Sequence, residues 1–176
     1  MRKPRVIPVL ITAAVAASLL FGGWAVYNQV AVAAPLEKVA KEAEGVASSA
    51  KPVMDDKQVT IDVVLEPDAN IRDVYERIAA NGKELFGGRK LNLNVKSESS
   101  KELDELWSSS LFVVAEAMET KAYSNIPAAL KEAAKGYDGV TVSTEMDETN
   151  VYVTLKKADT AKYIVLPRTP AQLEVW

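Results

Sequence analysis

Residues 58–95 read QVTIDVVLEPDANIRDVYERIAANGKELFGGRKLNLNV, and this stretch decides the fold. Val59, Ile61, Val63 and Leu65 alternate with Thr60, Asp62, Val64 and Glu66, the period of a strand with one buried face. Pro67-Asp68-Ala69-Asn70 stops it. Asn70 can cap a helix, with Asp73 placed favourably near its N-terminus. Ile71, Val74, Tyr75, Ile78, Ala79, Leu85 and Phe86 then fall on one helical face, and Gly87-Gly88 ends the helix. Leu91, Leu93 and Val95 alternate with Asn92, Asn94 and Lys96 in a second one-sided strand. Strand, helix and strand in this order predict a right-handed βαβ crossover.

Towards the C-terminus, Ser99 to Glu102 has the S-x-x-E form of a capping box. A long amphipathic helix is expected behind it. Leu103, Leu106, Trp107, Leu111, Val114 and Met118 should face inward. Phe112 and Val113 broaden the stripe, so the helix is either well buried or packed on a partner. Ser124-Asn125-Ile126-Pro127 interrupts it, and a shorter helix runs from about Pro127 to Lys135 with Gly136 at its end. A third strand starts at Val140 and Val142. Asp147-Glu148-Thr149-Asn150 turns into a fourth at Val151, Val153 and Leu155, and Ala158-Asp159-Thr160-Ala161 turns into a fifth at Tyr163–Leu166. The order β-α-β-α-α-β-β-β predicts an α+β fold. The expected form is a two-layer α/β sandwich with one mixed sheet, helices on one face and the other face open to water.

Towards the N-terminus, residues 6–27 carry no charged side chain. As a helix they would span about 33 Å, close to the thickness of a bilayer core. Pro8 falls in the first turn, and Trp24 and Tyr27 sit at the far end, where amphipathic rings favour the membrane interface. Arg2, Lys3 and Arg5 precede the run, which predicts a cytoplasmic N-terminus and an outward-facing chain. The alternative is a signal peptide cleaved near Ala33, since Ala31-Val32-Ala33 has the A-x-A form; the run is longer than such signals usually are. Ala14, Ser18 and Gly22 recur every fourth residue, a spacing that lets membrane helices approach, though such residues are common in any membrane segment. From Ala34 to Lys51 the composition turns to Ala, Glu, Lys and Ser. Leu36, Val39, Ala40, Ala43 and Val46 form a thin stripe, and Glu37 with Lys41 a favourable pair. The expected organisation is a basic tip at 1–5, a transmembrane helix at 6–27, a juxtamembrane helix and linker at 28–56, the α/β domain at 57–167 and a tail at 168–176.

Composition excludes whole classes of chemistry. With no Cys, disulfides, thiol nucleophiles and zinc thiolates are out; with no His, the commonest general base and metal ligand are out. The three basic residues ahead of the apolar run contribute +3, so a net charge of −3 leaves −6 beyond it. An acidic domain is a poor partner for nucleic acid.

The remaining candidates read as ordinary structure. Glu102, Asp104 and Glu105 cluster at a helix entry, where they offset the helix dipole. Glu145, Asp147, Glu148 and Asn150 offer oxygen ligands at a hairpin, but without the D-x-D-x-D-G pattern of a calcium loop. Ser108-Ser109-Ser110 with Lys121 could make a Ser/Lys pair, yet mid-helix serines lack the strained turn that exposes a nucleophile. Gly87-Gly88-Arg89-Lys90 follows a helix instead of opening one, unlike a phosphate loop. Trp107, Tyr75, Phe86 and Phe112 are spaced as core and not as a pocket lining. No catalytic, cofactor-binding or metal-ligating residue is therefore assigned.

The most suggestive surface is the open sheet face, expected to carry Asp62, Asn92, Asn94, Lys96, Thr141, Ser143, Tyr152, Thr154 and Lys156. Its free edges suit a further strand or domain. The element order resembles small β-α-β domains that build rings and scaffolds in bacterial secretion and sporulation machinery, a resemblance of topology alone. The expectation is a single-pass, extracytoplasmic, non-catalytic interaction or assembly module. Its partners would be lipid through 6–27 and another protein, or a second copy. A ligand-sensing domain with a pocket between the long helix and the sheet is the first alternative, and an envelope Ser/Lys hydrolase the second.

Overall fold

The computed structural model describes residues 6–66, 68–97 and 99–168. The basic tip, Pro67 at the first turn, the tail beyond Arg168 and the Trp24 side chain lie outside the described residues. The fold is α+β, with helices packed against two sheets.

Helix α1 (Val6–Tyr27) runs into six residues of π-helix (Asn28–Ala33) and on into α2 (Ala34–Glu42). Among residues described to their side chains, including 10–23 and Tyr27 of α1, no helix is long and apolar enough to cross a membrane. The segment expected as a linker is built into the domain. Leu36 and Ala40 of α2 are fully buried, and Ala33 is nearly so. Strands β1 (Val46–Ser49) and β2 (Val53–Met54) follow, both antiparallel to β3 (Gln58–Leu65). They were missed because neither has an apolar alternation of its own. They exist by pairing with β3, at Val63–Leu65 and at Val59–Thr60.

The β3-α3-β4 unit follows its sequence pattern. Val59, Ile61, Val63 and Leu65 are buried. The Asn70 side chain caps α3 (Ile71–Phe86) by accepting from the amides of Arg72 and Asp73, and Gly87 closes it in the left-handed conformation that favours glycine. Strand β4 (Lys90–Lys96) pairs parallel with β3, Gln58 opposite Lys90 and Ile61 opposite Leu93. Helix α2 lies antiparallel along α3. Leu36 packs at Gly82 near the C-terminal end of α3, while Glu44, just past α2, pairs with Arg77 one turn and more earlier. Gly82 makes that crossing possible, because a Cβ there would lie 3.0 Å from Leu36 Cδ2 and 2.6 Å from Phe86 Cζ.

Helix α4 (Lys101–Glu119) is capped by Ser100, whose hydroxyl accepts from the Leu103 amide. Ser99, the expected cap, instead donates to Asp104 at 2.8 Å. Helix α5 (Asn125–Ala134) follows, then the antiparallel meander β5 (Val140–Met146), β6 (Asn150–Lys157) and β7 (Thr160–Pro167).

The single mixed sheet is corrected to two. Strands β1–β4 form one, β5–β7 the other, and β4 and β7 approach without pairing. The second sheet is covered on one side and, over β6 and β7, in part on the other. Val151, Val153 and Leu155 pack with Leu103, Leu106, Val114, Ile126 and Leu130 of α4 and α5. Tyr152, Ala161 and Tyr163, on the opposite face, join the core built by β3, α2 and α3. Helices on one face only, with one continuous open face, is therefore not the arrangement.

Candidate interaction surface and seam cleft

The expected open face survives on the first sheet. Asn92 Nδ2 donates to Thr60 Oγ1 at 3.3 Å and Asn94 Nδ2 to Asp62 Oδ1 at 3.0 Å, while Lys96 Nζ lies 2.7 Å from Asp62 Oδ2. These polar pairs follow the register of β3 and β4. The Lys96 and Asn94 hydrogen bonds hold the Asp62 carboxyl below the usual carboxylate range. On the second sheet, Thr141 and Ser143 are exposed, Thr154 and Lys156 half-buried, and Tyr152 only 1% exposed. Tyr152 was expected among the exposed residues. Its ring meets Tyr75 edge-on with centroids 5.7 Å apart, and its hydroxyl is satisfied, so the amphipathic side chain is stable inside.

That hydroxyl belongs to the acidic hairpin. Tyr152 Oη donates to Asp147 Oδ2 at 2.6 Å, and Asn150 Nδ2 donates to Tyr152 Oη at 3.2 Å. The amides of Thr149 and Asn150 donate to Asp147 Oδ1 at 2.6 and 2.7 Å. Burial pushes the Asp147 carboxyl up, but the Tyr152, Thr149 and Asn150 hydrogen bonds outweigh it and hold it below its ordinary value. Burial first, and the neighbouring Asp147 second, push the Tyr152 phenol up. Glu145 is drawn away to Asn70 at 2.9 Å. Asp147 thus serves as the hairpin's internal brace, and among the described residues no group of three acids is arranged to hold a metal ion.

The other candidates are dispersed. Asp104 receives Lys162 at 2.8 Å, Glu102 receives Lys157 at 2.6 Å and Glu105 receives Lys101 at 3.5 Å. Ser109 and Ser110 donate to their own helix's Leu106 carbonyl at 2.9 and 2.8 Å. Lys121 lies past the end of α4, about 18 Å along the helix from Ser109, so the Ser/Lys pair is not assembled. Of the expected core aromatics, Phe86 is buried, Tyr75 and Trp107 are half-buried, and Phe112 stands 85% exposed.

Helix α4 therefore presents an apolar outer face. Phe112 is flanked by Leu111 and Val113, each 45% exposed, although Leu111 was expected inward. Ser108, Ser109 and Ala115 surround Phe112 at helical spacing, and Glu105, Glu116 and Glu119 rim it; all six are exposed. The pocket expected between this helix and the sheet is filled by Leu103, Leu106, Val153 and Leu155.

A cleft of about 460 Å³ lies instead at the seam between the two sheets, lined by Tyr75, Lys90, Leu91, Asn92, Asn150, Arg168 and their neighbours. Arg168, assigned from sequence to the tail, is anchored there. Its amide donates to the Thr149 carbonyl at 2.7 Å, its Nη1 to the Asp147 carbonyl at 2.8 Å, and its guanidinium lies 4.8 Å from the Tyr123 ring centroid. No protein-family model, curated protein or solved structure significantly matches the chain.

Proposed function

We propose that this protein is a single-pass, membrane-held, non-catalytic interaction module whose domain lies outside the cytoplasm. The observation that carries the reading is the run α1, π-segment and α2. Leu10, Ile11, Val15, Leu19, Leu20 and Phe21 of α1 are all exposed and point to every side of the helix. A helix apolar all round is stable only inside lipid or other protein. The same run continues into α2, whose Leu36 is wholly buried in the domain. The six π-helical residues add at most about 9 Å, so the domain sits directly at the bilayer surface.

The working surface is the outer face of α4. Its apolar centre and acidic rim fit a partner protein with an apolar face edged by Lys or Arg. An antiparallel second copy would set Glu105 opposite Glu119 about Phe112, which disfavours self-association. Alkaline carbonate washing of membranes carrying the full chain tests the reading, followed by protease added from the outside. The chain should stay with the membrane and lose its domain to protease. Release into the wash, or a protected domain, refutes it.

A further inference from the structure

The seam cleft has no lining residue from α4 and is a separate surface. Two cations line it, Lys90 at the start of β4 and Arg168 just past β7, and no carboxylate does. This is unexpected in a chain with net charge −6 beyond its apolar run. The nearby Asp147 keeps its charge, but its carboxylate oxygens accept from Tyr152, Thr149 and Asn150 and it does not line the cleft. Among the described residues Lys90 makes no ion pair. The Nε of Arg168 is buried with no hydrogen-bond partner, and its Nη1 donates to the Asp147 carbonyl, so the guanidinium is fixed in place at the cleft wall. Asn92 adds an amide group to the wall, whereas the Asn150 amide hydrogens go to Thr149 and Tyr152, and Tyr75, Leu91 and Pro167 give it an apolar floor. A concave, partly apolar site with two cationic residues and no acid in its lining suits an oxyanion attached to a small organic body.

We infer that the cleft binds a phosphate ester, held by Lys90 and Arg168. Two sources supply that chemistry, an anionic lipid headgroup or a free phosphorylated molecule. The antiparallel packing of α2 on α3 places Lys90, which follows the C-terminal end of α3, at the end of the domain where the chain arrives from α1. The lipid source rests on the membrane-held reading above; the anion site itself does not.

The test uses the full chain in a neutral detergent, with glycerol 1-phosphate titrated at constant ionic strength and thermal unfolding as readout. A saturable rise in Tm is expected, with the midpoint moved at least tenfold in Lys90→Gln. Lys90 is exposed, so that variant keeps its fold; Arg168→Gln should behave alike if it folds. No saturable rise, or an unchanged midpoint in Lys90→Gln, overturns the site. Bilayer discs of phosphatidylglycerol and of phosphatidylcholine then separate the sources. A response lost only in phosphatidylglycerol assigns the site to the lipid, and an equal response in both assigns it to a soluble ester. Failure of the chain to enter either disc sinks the anchor reading and leaves the detergent result standing.

Discussion

Leu36→Ala tests whether the stretch after the apolar run is domain or tether. Leu36 is 0% exposed and is the one large side chain that α2 buries, its other buried residue being Ala40. Truncation to Ala removes three carbon atoms, about 2.4 kcal/mol of transfer free energy at about 0.8 kcal/mol per group. A cavity then remains, because Gly82 has no side chain to fill it and Phe86 is held in the core. The expected loss is about 3 kcal/mol, within the range for buried leucines. Urea unfolding of a soluble fragment spanning residues 34–168 would read it as a fall in midpoint with unchanged slope. A tether residue in the same experiment would shift stability by less than about 0.5 kcal/mol. That smaller result would refute the placement of α2 in the core.

Further outcomes follow from the same contacts. Gly82→Ala should destabilise by about 1 kcal/mol, since the overpacking against Leu36 and Phe86 exceeds the roughly 1 kcal/mol gained in helix propensity; combined with Leu36→Ala, the loss should be smaller than the sum, read by the same unfolding assay. Because the Asp147 pKa is depressed in the fold, its contribution is full above the unfolded carboxyl value and disappears as pH falls through the lower folded one. Asp147→Asn should therefore narrow the stability difference between pH 7 and pH 3, measured by urea titration at both. Phe112→Ser should leave stability within about 0.5 kcal/mol of the parent, because the ring is 85% exposed. An unfolding midpoint that drops sharply would show that Phe112 has a packing role in the free domain.

The β3-α3-β4 unit was legible because every local signal agreed: alternation, an Asn cap, a glycine stop and a second alternation. Strands β1 and β2 were not, because Val46-Ala47-Ser48-Ser49 and Val53-Met54 become strands only through the edge of β3. The burial of the second sheet's other face turned on Tyr152 and Tyr163. Alternation assigns Tyr152 to a polar face and leaves Tyr163 without one, whereas both rings are buried and only the hydroxyl of each needs a partner. Two adjacent serines also compete to cap α4, and the S-x-x-E pattern favours Ser99 although Ser100 makes the bond. The outward apolar face of α4 was half legible, as Phe112 and Val113 overfilled the stripe. The seam cleft was not legible, because Lys90 and Arg168 meet only after β6 and β7 bring the chain's end back to the first sheet.

The absence of cysteine lets a single introduced thiol report whether the domain is held at the outer surface of a membrane. A single Cys introduced at Glu119, an exposed position, and separately at Lys3 would be challenged in intact cells with a membrane-impermeant maleimide. Glu119→Cys should label from outside, and Lys3→Cys only after permeabilisation. Equal labelling at both positions, or the reverse order, would contradict that placement.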